Sequence, residues 1–372
     1  MRILHLLSCR GWSSDAYWAA RVAGELERRG HEVVLGGKRG TEGPVLARAR
    51  AEGVSRLVTF DFAGGARPLA DAGDVRRLAG MLRATDVVHV HRGKEHWLAA
   101  MASRLSGRRP PLVRTRHIAQ AVRPHAGNRW LYGRATALVV TVTEAIRQQY
   151  LASGLVGSDR LATLPGGADA ERYRPRPVDA SLRRRLGGQP GVPLVGMVAG
   201  LRVMKGHLIV LEAAARLAAA GGMRPRFVLI GRGALESRIR EALDAAGLAS
   251  QFTLAGFVPD LPEAMAALDV ALYTPLESDG MSRVVFEYLA AARPLVASRV
   301  GVVPETLVDG EHALLVPGGD PGALAEAIAR ALGDADLRAR LGAAGRRAVE
   351  ERYSGARVAA ALEARYAGLT GA

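Results

Sequence analysis

Cysteine is almost missing from this chain. Cys9 is the only one in 372 residues, so no internal disulfide can form and a reducing compartment is the simple expectation. Long apolar runs are missing as well: no window approaches the ~18 continuous apolar residues that a membrane span needs. The opening Met1–Leu7 is too short and too interrupted for a signal peptide and reads as a first buried strand. The expected location is cytoplasmic, with peripheral contact at the inner face of the cell membrane as an extension. Aromatic residues make up 5% of the chain, and no basic face is studded with them, which argues against a nucleic-acid-binding module. A complete Gly-x-Gly-x-x-Gly is absent, because Glu236 takes its last place after Gly231-Arg232-Gly233; that weakens a nicotinamide-dehydrogenase reading. No Ser-His-Asp or Cys-His constellation has a recognisable context.

Acidic residues are absent from one long stretch. Between His96 and Thr143 there is none, against Arg104, Arg108, Arg109, Arg114, Arg116, Arg123, Arg129 and Arg134. Up to Gly188 the chain holds 32 Lys and Arg against 16 Asp and Glu; the remainder holds 19 against 20, so nearly the whole net charge of +15 belongs to the first half. Such a field attracts anions: nucleic acid, anionic lipid, or a phosphorylated or acidic glycan. A coding bias toward arginine accounts for part of the excess but would not confine it to one half.

What is present is an alternation of short apolar runs and amphipathic helices. In the first half, strands are predicted at Ile3–Leu7, Val33–Leu35, Val54–Thr59, Val87–Val90, Leu112–Arg114, Ala137–Thr141 and Leu161–Leu164, with helices such as Asp15–Arg29, Asp74–Arg83, Lys94–Leu105 and Glu144–Ser153 between them. Asp15 or Ser14 is the expected cap of the first helix. A second series follows, with strands at Leu194–Val198, Phe227–Ile230, Phe252–Leu254, Val270–Tyr273, Leu295–Ala297 and Ala313–Val316. This pattern implies parallel sheets covered on both faces. The fold class is therefore α/β, with two Rossmann-like domains facing across a cleft. The Pro-, Arg- and Gly-rich stretch from Arg174 to Gly191 reads as the linker. The expected domains are 1–185, 186–352, and 353–372, a helix crossing back to the first domain.

Two stretches of the second half carry the chemistry. Asp279-Gly280-Met281-Ser282-Arg283-Val284-Val285-Phe286-Glu287 reads as a strand end, a tight turn and a helix start with Ser282 as N-cap. Free amides near Gly280, Met281 and Ser282 suit a phosphate, and the flanking carboxylates suit sugar hydroxyls. Gly200-Leu201-Arg202-Val203-Met204-Lys205-Gly206 follows a strand and opens a helix; Arg202 offers a bidentate fork and Lys205 a compact charge to a diphosphate. Two solvated surface cations are the plainer alternative. Phe257 walls a base pocket or else belongs to the core. His89 and His91 share one face of a strand and, lacking further evident ligands, read as packing rather than as a metal site. Asp334-Ala335-Asp336 reads as a helix cap.

Taken in order, these motifs resemble the retaining glycosyltransferases of family 4, which have the GT-B fold. The resemblance is carried by Gly200-Leu201-Arg202 with Lys205-Gly206, Leu229-Ile230-Gly231-Arg232-Gly233, Gly256-Phe257-Val258, Asp279-Gly280 through Glu287, Pro294–Ser298, Gly301-Val302-Val303-Pro304-Glu305 and Gly310 through Val316-Pro317. It implies Glu287 as the ribose ligand and Asp279 in the sugar-contacting place, one methylene shorter than the family's usual glutamate, with Glu277 as a substitute. It also implies Gly11 in a loop near the donor phosphate and His117, after Val113-Arg114-Thr115-Arg116, facing the donor sugar; a structural histidine at a strand end is the other reading. Catalytic roles then fall to His117, Asp279, Arg202 and Lys205. Donor contacts fall to Gly11, Gly231, Phe257, Val258, Gly280, Met281, Ser282, Val285 and Glu287. The implied reaction moves a sugar from a nucleoside diphosphate to an anionic or lipid-linked glycan, as in lipopolysaccharide or cell-envelope polysaccharide synthesis, without a metal or other cofactor. A sugar-nucleotide epimerase of the same fold is the alternative.

Overall fold

A computed structural model of the chain describes residues 1–277 and 280–371. It divides into two compact units: Met1–Gly166 together with the segment from Gly355, and Gly167–Ser354. Unit 1 holds a parallel sheet of seven strands: β1 (Arg2–Leu7), β2 (Glu32–Lys38), β3 (Arg56–Phe60), β4 (Val87–Val90), β5 (Leu112–Arg116), β6 (Leu138–Thr141) and β7 (Leu161–Thr163). Their spatial order is β3-β2-β1-β4-β5-β6-β7. Unit 2 holds six: β8 (Leu194–Val198), β9 (Arg226–Ile230), β10 (Phe252–Gly256), β11 (Val270–Tyr273), β12 (Leu295–Ser298) and β13 (Leu314–Val316), in the order β10-β9-β8-β11-β12-β13. The central strands are buried along their length, so they read as continuous apolar runs rather than alternations.

In each sheet the strand order reverses once, between β1 and β4 and between β8 and β11. Loops that leave the carboxyl ends of two such strands diverge to opposite faces and leave a crevice, where open α/β sheets bind ligands. Both stretches singled out in the second half follow β8 and β11.

The division between units falls at Gly166/Gly167, nineteen residues before the break at 185/186 expected from composition. The reason is packing. Tyr173, Leu182 and Leu186 are buried in the core of unit 2, and Arg183 pairs with Asp269 at 2.7 Å. Asp179 caps a helix over Ala180–Arg185, a segment that composition had suggested was a plain linker. The helix expected from Asp74 starts at Pro68 instead; Asp74 turns inward and accepts the amides of Asp61 and Phe62 at 3.0 and 2.8 Å. The last helix, Gly355–Thr370, belongs to unit 1: it packs on Ser14–Arg28 and buries Tyr366 completely. Asp334 caps the helix Ala335–Ala348 by accepting the Leu337 amide at 2.8 Å. Among the described residues no helix is long and apolar enough to cross a membrane.

Candidate active site

In unit 2, β8 and β11 pair in parallel with Leu272 opposite Met197, so the loops after them start side by side. They are then joined. The amide of Leu276 donates to Met204 O at 2.9 Å, and the Thr274 hydroxyl donates to Lys205 O at 3.2 Å. Gly206 has a left-handed backbone (φ 76°), and a Cβ there would stand 1.9 Å from Thr274 O, so only glycine permits the contact. From the other side, Gly231 and Gly233 press on the same loop. Cβ atoms there would meet Ala199 O at 2.0 Å and Leu201 O at 2.3 Å. The Gly-x-Gly is thus a packing device for the Arg202 loop, and that places Gly231 beside it. Arg202 is exposed and Lys205 half-buried at its crest.

Beyond Leu276, the turn before the helix Arg283–Ala290 carries two left-handed residues, Gly280 (φ 86°) and Ser282 (φ 51°). Successive amides in such a turn, continued by a helix N-terminus, form a concavity for anions. Ser282 occupies the N-cap position, but it does not cap: its hydroxyl meets that of Tyr273 and makes no bond to the helix amides, because a left-handed residue turns its side chain away from them. A non-glycine residue held there stores strain of the kind found at binding sites. Glu287, one turn into the helix, is 1% exposed and meets Arg283 Nε at 3.0 Å. The side chains of Met281 and Val285 are buried, so any donor contact they make must come through backbone. Asp279 lies outside the described residues. Phe257 is 59% exposed just past β10, with the Arg232 guanidinium 5.9 Å from its ring centre, so it is not a core residue; Val258 packs against the core instead.

His207 was not singled out from the sequence. It opens the helix His207–Ala219 directly after Gly206 and is 1% exposed; burial pushes its pKa down to about 4. A neutral imidazole therefore backs the Lys205 turn.

In unit 1 a cluster of buried histidines on β1, β4 and the end of β5 packs against Trp18 and Tyr366 of the covering helices. His5 of β1 is paired with His89 of β4, and His91 and His117 continue along the same face toward the carboxyl ends. Trp18, from the helix Ser14–Arg28, sets its edge against the rings of His89, His91 and His117 at 5.5 to 5.9 Å. All four imidazoles are buried, which pushes His5 and His117 down to about 3 and the other two well below the usual histidine range. His5, His89 and His91 are close enough to suggest a metal triad. Their nitrogens are already engaged: both ring nitrogens of His89 are bonded, to the Tyr366 hydroxyl and to Thr115 Oγ1, and His5 Nδ1 faces His91 Nε2 at 3.2 Å.

Ser13, not Ser14 or Asp15, stands at the N-cap of the first helix. Asp15 bonds the Ser13 hydroxyl and Arg92 Nε, the latter at 2.7 Å across the β1/β4 crevice. Burial would raise its pKa, but Arg92, His117 and Ser13 outweigh that and hold it at about 2. Gly11 is exposed, and a Cβ there would meet nothing within 4 Å, so no packing in the chain demands glycine at that position. Cys9 is sealed beneath this loop; burial, reinforced by Asp15, pushes its thiol up to about 12.

Two family descriptions match, one in each half of the chain: "Glycosyltransferase Family 4" over residues 16–172 and "Glycosyl transferases group 1" over residues 192–334. The 2-deoxystreptamine N-acetyl-D-glucosaminyltransferase of Streptomyces fradiae is 30% identical over 86% of this chain and 78% of its own. The chain belongs to glycosyltransferase family 4. The D-inositol 3-phosphate glycosyltransferase of Nocardia farcinica is 30% identical over 72% of this chain, which spans 63% of that relative's length. The solved structure of HepE from Anabaena in complex with UDP superposes with a TM-score of 0.85 at 20% identity, covering 99% of this chain and all of that one; the shared fold is GT-B.

Proposed function

We propose that this family 4 member is a retaining glycosyltransferase that takes a nucleoside-diphosphate sugar as donor and an anionic acceptor. One observation carries the donor reading: the Arg202–Lys205 turn is hydrogen-bonded to the segment leading into the Gly280–Ser282 helix start, at the switch point of one sheet. Cations and helix amides there bracket a diphosphate, Glu287 accepts from ribose hydroxyls once it leaves Arg283, and Phe257 covers the base. Asp279, with Glu277 as substitute, holds the donor sugar, and His117 bonds one of its hydroxyls. As the sugar–phosphate bond breaks, negative charge grows on the diphosphate, where preorganised donors act most strongly. The departing phosphate takes the acceptor's proton while the acceptor attacks from the same face. Neither a strong protein base nor a metal ion is called for, since the chain supplies the positive charge itself.

Nucleotide binding tests this directly. One of ADP, GDP and UDP, at a hundred times its dissociation constant, is expected to raise the melting temperature by on the order of 5 °C. No shift with any of the three would overturn the donor reading.

The acceptor reading rests on unit 1. A cavity of about 510 Å³ there is lined by Arg104, Arg109, Arg134 and Arg160 beside Trp130, with no acidic side chain among its lining residues. Exposed Leu105 stands next to Arg104. We propose contact with an anionic membrane bearing a lipid-linked glycan. Vesicles containing phosphatidylserine should bind the protein at low salt and release it as salt shortens the screening length. The names of the two relatives favour a second reading, a small soluble cyclitol or its phosphate. Absence of vesicle binding at low salt would select it.

A further inference from the structure

We propose that His5 and His91 are positioning residues for His117, fixing through two imidazole–imidazole hydrogen bonds which of its nitrogens carries the proton. The inference rests on the reading above that His117 faces the reacting sugar. It adds a means by which the fold controls what that histidine presents.

The geometry is a chain of three rings. His5 Nδ1 lies 3.2 Å from His91 Nε2, and His91 Nδ1 lies 3.2 Å from His117 Nε2. The row follows from strand order: β1, β4 and β5 are neighbours, and residues two apart share a face, so His5, His91 and His117 step diagonally toward the carboxyl ends. His89 stands beside the row but is not a link in it. Its nitrogens are held by the Tyr366 hydroxyl and by Thr115 Oγ1 at 2.6 Å, which anchors the wall against which His5 and His91 lie. Trp18 closes the other side.

Three facts make this row more than packing. First, burial keeps all its rings neutral, and a neutral imidazole has one N–H and one lone pair. Two successive bonds among such rings must therefore run head to tail, and a proton placed on His5 dictates the placement on His91 and then on His117. Second, the two ends of the row, His5 Nε2 and His117 Nδ1, are buried side-chain nitrogens without a hydrogen-bond partner among the described residues. The inner end is sealed in the core, with His5 wholly inaccessible, so water cannot exchange a proton there. The outer end belongs to His117, the most exposed of the three at 7%, which stands just past the carboxyl end of β5. Third, Asp15, kept ionised by Arg92, acts on His117 and not on His5, so charge distinguishes the two ends. The titratable and charged groups that act on the row are Asp15, Arg92, Arg114, Arg116 and His89. A histidine with one nitrogen tied and a single protonation state is a fixed hydrogen-bonding group. Without the row it would be a rotating ring with two tautomers.

The test uses the full chain with ¹⁵N-labelled histidine. Long-range proton–nitrogen spectra should show His117 as one tautomer at pH 7, still neutral at pH 6, where the chain remains folded. In His91→Phe, which keeps an aromatic ring, though a larger one, and removes both bonds, His117 should show averaged tautomers and begin to titrate at higher pH. The turnover number should fall about ten- to a hundredfold, the usual cost of losing a partner that orients a functional histidine, with donor KM nearly unchanged. His91→Asn, which keeps an amide where Nδ1 stood, should restore the single tautomer. The pair His5→Phe with His91→Phe guards against loss of fold, since replacing both partners by apolar rings leaves no buried polar group newly unpaired between them. A His117 tautomer and pH profile unchanged in His91→Phe and in the pair would overturn the proposal. Unchanged turnover in His117→Ala would instead sink the reading of His117 at the sugar, leaving the spectra to judge the row.

Discussion

Replacing Arg202 or Lys205 by alanine is expected to lower kcat by roughly a hundred- to a thousandfold, the range seen when a donor to a developing oxyanion is removed. The argument is differential. On the proposed reading both cations meet the diphosphate in the ground state, but its charge rises as the sugar departs, so each interaction strengthens along the reaction and its loss falls mainly on kcat. Arg202 is exposed at the crest of its turn, so Arg202→Ala should change stability by no more than about 0.5 kcal/mol. Equal melting temperatures with unequal turnover would separate chemistry from folding. If both residues act on one leaving group, as proposed, the double variant should lose less than the product of the two single losses. Arg202→Lys should recover part of the activity, since charge remains but the bidentate fork is gone. Near-normal kcat in both alanine variants would remove the diphosphate from this loop.

The second large effect is acid lability of unit 1. His5, His89, His91, His96 and His117 are all buried, and burial is the leading cause of lowered pKa in each. Two are held at about 3 and the rest are pushed well down. An unfolded histidine takes up its proton near pH 6.5. Between these limits the unfolded chain binds protons that the folded chain refuses. The stability these groups contribute is therefore complete above about pH 6.5 and is lost as pH falls below it. From pH 6.5 to 5.5 each group withdraws about 1 kcal/mol by the linkage relation, so five withdraw about 5 kcal/mol, a sum comparable to the whole stability of many domains. Urea midpoints followed by tryptophan fluorescence, all four tryptophans belonging to unit 1, should drop steeply over that unit of pH. Midpoints that stay level between pH 7.5 and 5.5 would show that the histidine layer takes up protons without unfolding.

Much of the architecture could be read before any coordinates. Runs such as Val87–Val90 and Val270–Tyr273 are short, apolar and bounded by breakers, which leaves buried parallel strands as the economical solution. The two candidate loops of unit 2 were legible for a related reason: Arg202, Lys205 and Gly280 each follow a strand and precede a helix, and local order along the chain reports that geometry. The histidine row was only half legible. The spacing of His89 and His91 placed two rings on one face, but His5 and His117 join them through the lateral order of β1, β4 and β5, which no local period encodes. Ser282 misled for the opposite reason. Its residue type favours an N-cap, yet the tight turn forces a left-handed backbone, and tertiary context overrode propensity. The helix Ala180–Arg185 was hidden by a composition typical of linkers, while its real determinants were the Asp179 cap and the burial of Leu182 and Leu186.

Cys9 has a use beyond its own pocket. Its thiol is closed off from solvent and remains protonated at neutral pH, so the native protein carries no reactive sulfhydryl among its described residues. A cysteine introduced at any exposed position would then be the single attachment point for a fluorophore or spin label. Motions of each unit during turnover become open to spectroscopy without first stripping the background.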